Sequence, residues 1–348
     1  GCIKLKSIEI PDSVTEIGEN AFADCTSLKS VMLPNNLTTI NDFLFTGCGK
    51  LKSIKIPNSV TKIGKSVFEH CRCLKSIIIP NGVTEIDESL FNGCWRLNSV
   101  TLPNSVATIG KNAFRRCVSL NSIIIPSSVT TIDVGAFIDC VCLNSVTLPE
   151  SVVKISDQAF AHCFNLESMV ILNDNITEIG NRTFEGCRSL KSIKIPNSVT
   201  TIGRYTFAGC ASLTSVVIPD NVTVIGVGSF MECNNLNSVK LPDGLLEISA
   251  GAFRGCINLK SITIPDGIKA IYRRAFYNCG LDSLRVLSGP LIDSDVFVPH
   301  SREIFDTQIF YPLLINRFVE IFMNMLLEED DNNLAEFEKN EPVRCIIA

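Results

Sequence analysis

Apolar and polar positions recur along this chain with a fixed period. Leucine stands at Leu5, Leu28, Leu51 and Leu74 and continues in steps of 23 residues through Leu97, Leu120 and Leu143 to Leu166. One step of 24 leads to Leu190. The series then runs through Leu213, Leu236 and Leu259 to Leu281, with a last step of 22. Residues 51–73, LKSIKIPNSVTKIGKSVFEHCRC, show the unit: L-x-S-[IV]-x-[IL]-P-x-x-[VLI]-x-x-I-x-x-x-x-F-x-x-C-x-x. A self-similar period of this length predicts a solenoid in which each unit covers the apolar side of the last.

The alternation in L-x-S-I-x-I predicts a half-buried strand. Pro follows, as at Pro57, Pro80 and Pro103, and ends the ladder because it has no N–H to donate. Turn-forming residues come next. The V-T-x-I segment turns two more apolar residues inward. The following stretch, such as Lys111 to Cys117, predicts about one turn of helix with Phe and Cys facing the core. Stacked units form a parallel sheet with rungs about 4.8 Å apart, so thirteen rungs span roughly 60 Å.

The P-x-x-[VLI]-x-x-I-x-x-x-x-F-x-x-C pattern resembles the BspA-type, or Treponema-type, leucine-rich repeats. The resemblance runs from residue 2 to about residue 286. It implies an α/β repeat fold: a leucine-rich-repeat solenoid with a parallel sheet on the concave face and a short helical or irregular convex side. Many members resemble surface adhesins of bacteria and protozoan parasites, so the resemblance implies protein binding, a host or cell-surface partner and a surface or secreted location.

Thirteen of the 16 cysteines share one position of the repeat, from Cys2 and Cys25 to Cys256 and Cys279. Neighbours one rung apart are close enough for a disulfide in principle. An odd number of equivalent sites has no natural pairing, however, and Phe shares the same inward face. Free thiols buried as small hydrophobes are the expectation. A zinc site needs ligands converging from different directions, which a one-sided column does not supply. Cys73 and Cys142 lie three rungs apart, about 14 Å, too far to bond. Serine fills the third strand position in every unit, but a Ser nucleophile needs a nearby base. His occurs only at His70, His162 and His300, and the first two are four rungs apart. A hydroxyl column bonded along the stack or to backbone is expected instead. The chain is read as a non-enzyme with no cofactor, no metal and no small-molecule substrate.

The second and fifth strand positions point outward. The second gives Lys29, Lys52 and Lys75; the fifth gives Met32, Lys55, Ile78, Thr101 and Ile124. These eight form the candidate binding face, lysine-rich at its N-terminal end and carrying exposed apolar side chains. Unit eight replaces the Pro turn with Ile171-Leu172-Asn173-Asp174-Asn175 and adds one residue, which predicts a local bulge. Asn36, Asn175, Asn181 and Asn221 begin N-x-[ST] sequences, which matter only on a secreted chain.

Beyond Leu281 the period fades. Residues 287–330 read as a connector and an amphipathic helical cap, with Pro312 starting a second helix. Residues 331–348 read as an acidic tail ending Cys345-Ile346-Ile347-Ala348. That ending fits a C-a-a-X prenylation signal on Cys345. It gives the alternative reading: a lipid-tethered scaffold on the cytoplasmic face of a membrane, without the usual polybasic or second-cysteine signal. No run of about 18 uncharged apolar residues is present. The chain opens at Gly1 in mid-repeat, so its natural N-terminus is expected to lie upstream. The net charge of −5 over 348 residues does not point to nucleic acid.

Overall fold

The computed structural model describes residues 1–286, 291–293, 295 and 296. Over these residues the chain is a parallel-strand solenoid of about twelve turns, each about 23 residues long. The first ladder is the one the alternation predicts. Ser7 pairs with Ser30, Ser76 with Ser99, Ser145 with Ser168, and Ser261 with Ser283, all parallel and in register. The strands are short, mostly Ser to the fifth position, as in Ser30–Met32 and Ser76–Ile78.

A second ladder, which the alternation does not predict, runs beside it. The inward Ile of the V-T-x-I segment and the residue before it, such as Thr39–Ile40 and Lys62–Ile63, pair rung to rung. From Glu85–Ile86 to Leu291–Ile292 this ladder forms one ten-stranded sheet, longer than any run of the first ladder. Its strands are two residues long, too short for alternation to mark them in the sequence.

The helical turn expected at Lys111–Cys117 is not formed; the side opposite the first ladder is built of β-turns. Ala113 donates its N–H to the Gly110 carbonyl at 3.1 Å, and Cys117 donates to Phe114 at 3.1 Å. The third residue of each turn, Asn112 and Arg116, has a positive φ of 55° and 57°. A helix cannot pass through two left-handed residues four apart. The same two positions are left-handed in rung after rung, and Gly, Asn or Asp often fills them, as at Asn20, Asp24, Gly47 and Gly135. Gly93 illustrates the need, because a Cβ there would run into His70 Nδ1. Every other residue of this side bonds forward: Asn112, Phe114 and Arg116 donate to Val134, Ala136 and Ile138 at 2.8–2.9 Å. The helical C-terminal cap, the acidic tail and Cys345 lie outside the described residues.

The three-residue spacings that resemble a helical face are corners. Val60 donates to Pro57, Cys71 to Phe68 and Leu74 to Cys71, at 3.0–3.1 Å. The residues fixed by the pattern are therefore the ends of turns, and their side chains point in. Phe22 to Phe276 form one continuous stack with ring centroids 5.2–5.9 Å apart. That separation is the favourable offset range for aromatic pairs.

The extra residue of unit eight sits in the turn and leaves no bulge in the strand. Asn173 donates its amide to the Glu150 and Val152 carbonyls at 2.6 and 2.7 Å. Register resumes at once, with Ile155 opposite Ile179. No helix among the described residues is long and apolar enough to cross a membrane.

Removing one ring from the stack leaves a cavity and two unpartnered neighbours. Phe137→Ala is expected to cost about 3–5 kcal/mol, measured by urea denaturation. A loss below about 1 kcal/mol contradicts a packed phenylalanine core.

A candidate binding face on the exposed strands

The first ladder presents one exposed face. The leading leucine and the two isoleucines of the L-x-S-I-x-I strand point inward, as the buried Leu51, Ile54 and Ile56 show, while the second, third and fifth positions are exposed. All eight residues expected on this face are exposed: Lys29, Met32, Lys52, Lys55, Lys75, Ile78, Thr101 and Ile124. They do not form a pocket. They make two columns along the solenoid, with the serines of the third position between them.

The fifth-position column has a regular order along the solenoid. Apolar side chains occur on every second rung: Met32, Ile78, Ile124, Val170 and Val217. Their exposures run from 45% to 86%, far above a core residue. The rungs between carry Lys55, Thr101, Thr147 and Lys194. The register places unlike residues side by side, Ile78 against Thr101, Thr147 against Val170 and Val217 against Lys240. The eight expected residues stop at Ile124; Val170 and Val217 extend the same column.

The charge of this face differs from that of the chain. The second and fifth positions of rungs one to twelve hold nine lysines against Glu9 and Glu167, although the whole chain is at −5. Lys191 and Glu167 pair across adjacent rungs at 2.6 Å, but both are largely exposed, so the pair adds little stability. The serines expected to bond along the stack are exposed instead. The hydroxyl ladder lies on the turn after Pro: Ser59, Ser105, Ser128 and Ser151 donate to carbonyls one rung back at 2.6 Å.

Other chemistry-bearing groups serve the fold. His70 lies against Gly93, 3.9 Å from Glu69 Oε1, and His162 lies against Gly186. Arg72 stacks over Trp95 at 4.5 Å, and Arg188 over Phe164 at 4.8 Å. An open depression of about 430 Å³ beside Asp24, Lys50, His70 and Arg72 has mixed charge. Among the described residues, no group of three His, Cys, Asp or Glu is placed to hold a metal.

The cysteine column is buried and unpaired from Cys25 to Cys256. From Cys48 onward each thiol donates to the carbonyl of the preceding rung's Phe, Cys94 to Phe68 at 3.0 Å and Cys117 to Phe91 at 3.2 Å. That carbonyl also accepts the N–H of its own rung's Cys. Burial pushes the Cys48, Cys187 and Cys233 thiols up to about 12, and Cys71, Cys117 and Cys163 well above the ordinary value.

These features define a leucine-rich-repeat solenoid with an exposed strand face. The BspA type leucine rich repeat region matches residues 1–121, 107–237 and 223–299, in six copies, and the chain belongs to that family. A leucine-rich repeat protein from Bacteroides ovatus is similar at 33% identity, with a TM-score of 0.71 over 82% of this chain and 79% of that one. A leucine rich cell surface protein from Faecalibacterium prausnitzii is 33% identical over 80% of this chain and 72% of its own, with a TM-score of 0.49. The pneumococcal vaccine antigen PcpA shares the fold at 21% identity, TM-score 0.51, over 81% and 72% of the two chains. No curated protein matches the chain.

The thiols make stability depend on alkaline pH. Unfolded cysteines ionise above about 8.5, while the buried ones stay neutral until about 12. Because the folded values are raised, their contribution is intact below about 8.5 and lost as pH climbs towards the folded values. Each thiol removes about 1.4 kcal/mol per pH unit in that window. The urea midpoint should therefore fall steeply between pH 9 and 11, and less so in Cys117→Ala. A flat profile contradicts a buried thiol column.

Proposed function

We propose that this chain is a non-enzymatic protein-binding scaffold that engages its ligand on the exposed strand face. The single observation that carries the reading is the fifth-position column. Five large apolar side chains are held in solvent on every second rung of the strand face, where the packing of the array has no use for them. The lysines alongside select against basic partners and speed the encounter with acidic ones. Adhesion to a host or cell-surface protein is the form of binding we favour, and the family resemblance supports it.

The tethered alternative rests on Cys345-Ile346-Ile347-Ala348. Prenylation would keep the same binding face and present it at a membrane. Mass spectrometry of the native C-terminus separates the two, since an unmodified, untrimmed tail removes the tether.

Surface plasmon resonance against purified cell-surface and matrix proteins tests the main reading. The triple variant K29E/K52E/I78D is expected to weaken a ligand found for the wild-type chain at least tenfold, with the thermal midpoint unchanged. Wild-type affinity in that variant would place the ligand elsewhere.

A further inference from the structure

The two-rung alternation sets a length that a ligand must match. Rungs are about 4.8 Å apart, so Met32, Ile78, Ile124, Val170 and Val217 recur about every 9.6 Å along the solenoid. An α-helix returns a side chain to the same face after seven residues, about 10.5 Å, and drifts by about 0.9 Å at each contact. An extended strand shows one face only at even spacings, about 6.7 or 13.4 Å. Polyproline II has three residues per turn and a rise of 3.1 Å, which gives about 9.3 Å. Over four intervals its drift is about 1.2 Å, small enough for side chains to absorb, against about 3.6 Å for the helix.

We infer that the exposed strand face is a track for an extended polyproline-II segment, lying along the solenoid axis with an apolar side chain at every third residue. This rests on the reading of that face as the binding surface and names its occupant. The serine column supports it. Ser76, Ser99 and Ser122 are exposed beside the apolar column. They are small enough to admit a chain between the two outward columns. A polyproline-II backbone makes no internal hydrogen bonds, so its carbonyls are free to accept from serine hydroxyls. Charge narrows the ligand further. Lys29, Lys52 and Lys75 flank the track and Lys55 stands between Met32 and Ile78, so the ligand turns over these rungs include acidic residues, while Asn98, Asn121 and Asn144 flank the stretch around Ile124 without charge. The occupant is thus an acidic, proline-rich segment of about 13 to 15 residues, the length that spans five contacts.

The test uses the full chain and fluorescein-labelled 15-residue peptides, read by anisotropy. The probe repeats Leu-Pro-Glu. A second 15-residue peptide of the same composition places its five Leu two residues apart, and a third replaces Glu with Lys. The Leu-Pro-Glu peptide is expected to bind, and the other two at least tenfold more weakly. Ile78→Asp with Ile124→Asp should weaken the probe at least tenfold, while Val153→Asp, exposed beside the second ladder, should leave it unchanged. Equal binding of the two spacings overturns the inference, as does absence of probe binding. Self-association abolished by Ile124→Asp would assign the face to a second copy and also overturn it. These failures are distinct from failure of the scaffold reading, which requires K29E/K52E/I78D to keep wild-type affinity for a protein ligand.

Discussion

Every turn of this chain rests on a copy of itself, and the hydrogen bonds between rungs enforce that match. Backbone groups bond to the neighbouring rung in the first ladder, in the second ladder and again along the turn side. Once three parts of a 23-residue loop are tied to the loop before, a residue has no freedom to slide, and like falls on like. Phe therefore stacks on Phe, and Cys lies beneath Cys. The columns are a consequence of register, and the apolar side of each unit has nowhere to be buried except against its neighbours.

That constraint explains why some of the fold is legible in the sequence and some is not. Leu51, Ile54 and Ile56 announce their burial by alternation, and the 23-residue period announces the stacking. The turn side is harder to read. Phe114 and Cys117 are three residues apart, a spacing shared by a helix face and by the two ends of a β-turn. What separates the cases is backbone handedness. The tendency to Gly, Asn and Asp at the positions of Asn112 and Arg116 carries that signal, but only when rungs are compared column by column, because single rungs place Ser66, His70 or Tyr205 there. The second ladder leaves a fainter trace, since two-residue strands such as Thr108–Ile109 are too short to alternate.

The binding face follows from what register leaves free. Positions that point inward are held to apolar residues, whereas the outward positions need only be compatible with a sheet. The fifth position uses that freedom in a pattern with twice the structural period, Thr101 lying between Ile78 and Ile124, and Val170 between Thr147 and Lys194. Nothing in the packing of a 23-residue rung calls for a 46-residue alternation on the solvent side. Its residues are visible one by one in the sequence; their order emerges when the ladder sets them in a line. The thiols show the opposite case, a chemically capable group made inert by burial and by a hydrogen bond to a Phe carbonyl.

If inter-rung register governs this molecule, the chain should tolerate loss of a whole period but not of half of one. Excision of residues 97–119 removes one rung and leaves every column in phase, whereas excision of residues 97–108 breaks all of them. Far-UV circular dichroism with urea unfolding decides the matter. The account predicts that the 23-residue deletion keeps its β signal and unfolds cooperatively at a somewhat lower midpoint, and that the 12-residue deletion does not. Equal folding of both, or collapse of the 23-residue deletion, would contradict it.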